Sequence, residues 1–143
     1  MLTAKVSVTD IEALKATAKI FGAEVLANTL CRCWATEQNR FAGDYPMPAG
    51  WTEEELIAAL KAPDYIIRHP DARYDIALVP RKDGKPGYTM AFDFYGAGYG
   101  RPLLQTFGDN LCKLSQAYSK TVALKQAKTR RLNYVATLEV LPL

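Results

Sequence analysis

The chain is predicted to be an α+β domain with a ferredoxin-like, split βαβ order of elements. That arrangement has an antiparallel-rich sheet with two helices on one face, and here an insertion at about residues 22–72. Three observations carry the expectation. Residues 2–8 alternate as a half-buried strand does, with Leu2, Ala4, Val6 and Val8 on one side and Thr3, Lys5 and Ser7 on the other. Residues 74–95 read as two alternating arms around a Gly- and Pro-bearing connection. Two segments with helical spacing follow, one after the first strand and one after this hairpin.

In order along the chain, Thr9 or Asp10 caps a helix in which Ile11, Leu14, Ala18 and Phe21 recur at helical spacing, and Gly22 stops it. Residues 24–34 read as a short hairpin turning at Asn28, with Leu30 to Trp34 as its second arm. Residues 35–50 are polar and rich in Gly and Pro, which predicts a loop. Thr52 followed by Glu55 is a capping box and opens a helix that Pro63 closes. A short strand over Tyr65 to Arg68 and a turn at His69-Pro70-Asp71 follow. If Pro80 pairs with Tyr88, Ile76 faces Phe92 and Leu78 faces Met90. Gly96 to Pro102 is a loop by composition. A helix is expected from about Asp109 to about Arg130, with Leu111, Leu114, Tyr118 and Val122 as its buried stripe. A final strand is expected from Leu132 to Leu141. Its alternating residues are Leu132, Tyr134, Ala136, Leu138 and Val140.

The 143 residues suit a single domain, with the insertion inside it. Apolar residues are 49% and charged residues 23%, which is globular usage rather than disorder. No apolar stretch is long enough to span a membrane. The N-terminal run carries Lys5 and Asp10 and is no signal peptide. Three cysteines do not make a disulfide framework, and an odd count points to a reducing, cytoplasmic setting. Charge is uneven. Residues 1–71 hold seven Lys and Arg against ten Asp and Glu, a net −3; residues 72–143 hold eleven against five, a net +6. Either the halves attract each other, or the second half meets an anionic partner.

Several residue sets could carry chemistry. The hairpin register sets Asp75 opposite Asp93 on the sheet face away from the helices. Paired carboxylates there need a cation, a raised pKa or water, so a divalent metal is conceivable at Asp75 and Asp93, with Lys5 as a structural alternative. The glycine loop ends in Arg101, which could clamp a phosphate, although its spacing matches neither nucleotide-binding glycine motif. Lys113, Lys120, Lys125, Lys128, Arg130 and Arg131 crowd the long helix. They could hold a nucleic-acid backbone, or some could answer the helix dipole. The expected open face shows Tyr95 as its one aromatic, which argues against base stacking there. Cys31-Arg32-Cys33, with Cys112 and His69, falls short of zinc-site spacing; buried thiols are the simpler account. Tyr45-Pro46-Met47-Pro48 and Trp51 form an apolar knob or pin their own loop.

Several segments resemble one known family. They are the early helix, Gly43-Asp44-Tyr45-Pro46, Tyr74-Asp75-Ile76, Phe92-Asp93-Phe94-Tyr95-Gly96 and Lys113-Leu114-Ser115-Gln116-Ala117-Tyr118. They are similar to the uncharacterised domain-of-unknown-function family that includes hypothetical chloroplast reading frame thirty-five, with bacterial and phage relatives. The resemblance implies no activity, cofactor or site. Its phage members imply a host-interaction or anti-defence role as an expectation. On the residues alone, the expectation is a small, non-enzymatic, cytoplasmic binding protein that meets an anionic partner through its basic second half. The partner would be nucleic acid, a nucleotide or an acidic protein surface. A metal-dependent enzyme using Asp75 and Asp93, and a structural interaction module or homodimer, are the rivals.

Overall fold

The computed structural model describes residues 2–41 and 47–139, with side chains described as far as Asn133. It is a mixed α+β fold around one five-stranded sheet. The strands are β1 (Leu2–Val8), β2 (Glu24–Ala27), β3 (Tyr65–Arg68), β4 (Ile76–Pro80) and β5 (Tyr88–Phe92), in the spatial order β1-β5-β4-β3-β2. Every neighbouring pair is antiparallel. The helices are α1 (Ile11–Ile20), α2 (Trp34–Gln38), α3 (Glu53–Lys61), α4 (Arg101–Phe107) and α5 (Cys112–Glu139).

The β4–β5 ladder takes the register that the sequence predicts, with Leu78 opposite Met90 and Pro80 opposite Tyr88. β1 joins the far side of β5 through a bulge: the four steps from Thr3 to Ser7 lie against the two steps from Ala91 to Thr89. The two extra residues keep the parity of the strand: Ala4 and Val8 are buried, Val6 is half-buried, and Leu2 at the strand's start is exposed. Asp10 caps α1, its carboxylate accepting from the Ala13 amide at 3.0 Å. Thr52 caps α3 in the same way, accepting from the Glu55 amide at 3.2 Å.

Ile76, Ala77, Leu78 and Val79 are all buried, because both faces of the sheet are covered. On one side Ile76, Leu78, Met90 and Phe92 pack with Leu14 of α1, Leu103 and Phe107 of α4, and Leu114 and Tyr118 of α5. On the other, Ala77, Val79, Ala91 and Ile66 pack with Cys31, Cys33 and Ala35 around α2, and with Leu56, Ile57 and Leu60 of α3. The open face expected from the sequence is therefore closed, and the insertion closes it.

Other expectations are corrected. Residues 24–34 do not form a hairpin. β2 pairs with β3 instead, Val25 opposite Ile67, and residues 28–33 run on irregularly into α2. The glycine loop does not drift to a helix at Asp109. A turn at Gly96–Gly100 runs straight into α4, whose first turn accepts Pro102 because the missing amide would have had no helical partner there. The final strand is not formed as far as Glu139. α5 continues as one 28-residue helix through Leu132 to Glu139. Nothing between Cys112 and Leu141 breaks a helix, since no Gly or Pro intervenes, so a stretch that alternates by chance stays helical. Residues 140–141 lie outside the described residues, as do Gly43-Asp44-Tyr45-Pro46. Met47 and Trp51, the rest of the expected apolar knob, pack on the second core.

Candidate functional site

Asp75 leaves the sheet one residue before β4 begins, and its own amide donates to the Arg32 carbonyl at 2.8 Å. Its side chain is fully buried. Five donors meet the carboxylate. Arg32 supplies its backbone amide at 2.9 Å, Nε at 3.1 Å and Nη2 at 2.9 Å; Arg68 supplies Nε at 3.0 Å and Nη2 at 2.9 Å. Burial pushes the carboxyl up, but Arg68 and Arg32 outweigh burial and hold it below the usual carboxylate range. Asp93 does other work: its Oδ1 accepts from the Tyr95 amide at 2.8 Å and shapes the turn after β5. Residues 75 and 93 lie outside the ladder, which pairs 77–80 with 88–91. Among the described residues no group of three His, Cys, Asp or Glu side chains could hold a metal ion. The structure therefore assigns Asp75 to an arginine-bracketed ion cluster and Asp93 to a turn. It does not place Lys5, exposed in the β1 bulge, on Asp93.

Sequence reasoning missed Arg32 and Arg68 as the partners of Asp75. A signal was present: Ile76 to Val79 is an uninterrupted apolar run, the pattern of a strand buried on both faces. A carboxylate at the mouth of such a strand needs a cation.

The thiols and the histidine have structural places. Cys31 and Cys33 are buried on the second core. Cys31 Sγ donates to the Asp75 carbonyl at 3.8 Å and Cys33 Sγ meets the Thr36 hydroxyl at 3.6 Å; the influence of the neighbouring thiol draws Cys33 down to about 7, and that thiol together with burial pushes Cys31 up. His69 is held at both ring nitrogens. Nδ1 accepts from the Asp71 amide at 3.1 Å, which leaves Nε2–H to donate to the Phe21 carbonyl at 3.0 Å. Cys112 is exposed at the start of α5.

Arg101 opens α4 and is exposed. The remaining candidates lie on α5, which is about 42 Å long at 1.5 Å per residue. Leu114 and Tyr118 of its stripe, with Leu111 from the turn just before it, are buried against the first core. The Tyr118 hydroxyl accepts from the Thr9 and Asp10 amides, each at 3.0 Å, and so fastens α5 to the start of α1. From Ala123 to Asn133 every residue is exposed. At about 100° per residue, Lys113, Lys120, Lys128 and Arg131 fall within an arc of about 80°, on the side away from the buried stripe. Their span along the axis is about 27 Å.

Lys125 does not belong to that stripe. It sits toward α1 and pairs with Asp10 at 2.7 Å, where its ammonium holds the Asp10 carboxyl below the usual range. Arg130 lies on the opposite flank, beside a shallow groove bordered by Asp10 and Glu12. No acidic residue occurs from Asn110 to Leu138, so the outward face of α5 has no intrahelical counter-charge. Among the described residues no helix is long and apolar enough to cross a membrane. No family model, no curated protein and no solved structure matches the chain.

Proposed function

We propose that the protein is a non-enzymatic binding protein that engages an anionic polymer through the outward face of α5. One observation carries the reading: Lys113, Lys120, Lys128 and Arg131 share a solvent face of a helix with no acidic residue before Glu139. An ordinary surface helix mixes signs and gains from opposite charges three and four residues apart. This helix forgoes that gain, and a partner that supplies negative charge would restore it. The helix dipole accounts for cations only in the last turn, and α5 ends at Glu139, so none of the four falls under that explanation. Arg101 lies off the helix and adds to the same basic half without forming part of the stripe.

The cytoplasmic setting stays with this reading, on the ground of three free cysteines, two of them buried side by side. The phage-type host-interaction role rests on the family resemblance alone. Likewise, β1 and β5 with the β4 strand and the α1 and α5 helices repeat three strands of the split βαβ order, and we read the fold as a relative of it.

The test is direct binding of the full chain to a fluorescein-labelled nucleic-acid probe at low salt, read by anisotropy. The variant carrying Lys113→Gln, Lys120→Gln, Lys128→Gln and Arg131→Gln should lose most of the affinity while keeping its circular dichroism. Lys125→Gln should change affinity much less, because Lys125 is already paired. Equal binding by the four-site variant and the parent would refute the assignment to α5.

A further inference from the structure

We propose that the α5 stripe seats on double-stranded nucleic acid and holds its backbone without reading sequence; this rests on the polyanion reading above. The first support is shape. A folded helix fixes Lys113, Lys120, Lys128 and Arg131 on a straight line of about 27 Å, the length of about eight base pairs at about 3.4 Å each. A duplex is a stiff rod with about one phosphate charge per 1.7 Å of axis, so its charges stay in place opposite such a line. A single strand is limp and less densely charged, and its binders add aromatic platforms for the bases. Among the described side chains of α5, Cys112 to Asn133, the single aromatic is Tyr118, which is buried with its hydroxyl occupied.

The second support is the choice of side chains. Three of the four cations are lysines, point charges suited to phosphate, whereas base edges are read chiefly by the planar groups of Arg, Asn and Gln. Small residues, Ala117 and Ala127, lie in or beside the arc, so long cationic side chains stand clear and reach past the helix surface. The third support sets aside an acidic protein partner. Leu124 is the one large apolar side chain within the arc among those described. A specific protein interface needs about 800 Å² per partner with an apolar centre, which one leucine does not supply.

The experiment uses the full chain and four probes: two 20-base-pair duplexes of unrelated sequence, one matching single strand, and polyglutamate. The expected result is equal affinity for the duplexes within about twofold, with the single strand and polyglutamate at least about tenfold weaker. The logarithm of the duplex association constant should fall against the logarithm of salt with a slope of about −3.6, from four neutralised phosphates. Duplexes much shorter than about eight base pairs should bind progressively more weakly. A single strand or polyglutamate bound as tightly as duplex would overturn the duplex assignment and leave the polyanion reading standing. A tenfold preference for one duplex sequence would overturn sequence indifference. No binding of any probe at low salt would sink both.

Discussion

Replacing Asp75 by Asn keeps the shape of the side chain and removes its charge. In the native protein that carboxylate answers two guanidinium groups, Arg32 and Arg68, and an amide of the insertion. Breaking a fully buried ion pair costs about 3–5 kcal/mol, because the abandoned charge has no solvent. Here the two arginine side chains keep 39% and 27% of their exposure, so water reaches them in part. The expected cost is therefore at the lower end, about 3 kcal/mol. At about 2–4 °C per kcal/mol for a chain of this size, the melting temperature should fall by about 6–12 °C.

The pH dependence follows from the same site. The folded-state pKa of Asp75 lies below its unfolded value of about 3.9. Its contribution is thus complete above about pH 4 and disappears as the pH drops through the lower, folded value. Parent and Asp75→Asn should differ fully at pH 7 and converge in strong acid. Scanning calorimetry from pH 7 to pH 3 reads both effects. A loss under about 2 °C at pH 7, or a gap that widens in acid, would refute the account of this cluster. The combined variant Arg32→Met, Arg68→Met and Asp75→Leu should recover much of the loss, since an apolar set leaves no stranded charge.

Three further outcomes are expected. A Cβ at Gly100 would stand 1.9 Å from the Asp93 carbonyl oxygen, so Gly100→Ala should prevent the turn into α4 from closing and leave little folded protein by circular dichroism. Gly84→Ala meets no neighbour but adopts φ +81°, so it should cost only about 1 kcal/mol in a denaturant titration. Tyr118→Phe removes the acceptor of the Thr9 and Asp10 amides and should cost about 1–3 kcal/mol, measured the same way.

What could be read in advance was local. The Asp10 and Thr52 caps are set by residues three positions apart, and the register of β4 on β5 by residues eight to fourteen apart. What could not be read was settled at a distance. β2 finds its partner about forty residues downstream, in β3, so the turn residue Asn28 suggested the wrong hairpin. Alternation from Leu132 onward was a weaker signal than the absence of any helix breaker. The cations of α5 were visible as a composition. Helix geometry then divided them into an outward line and Lys125, which α1 had already claimed. Asp75 looked like half of a metal site because its arginines came from elements whose approach the sequence does not announce.

The place of β1 has a consequence for synthesis. Leu2 and Val8 are synthesised well before their hydrogen-bonding neighbours, Phe92 and Tyr88. At about 5–20 residues per second, β1 waits roughly 4–18 s for its mate to be made. Throughout that interval a β-prone stretch has nothing native to pair with. A nascent chain of this design is therefore most open to chaperone capture, or to mispairing with its copies, until β5 has been made.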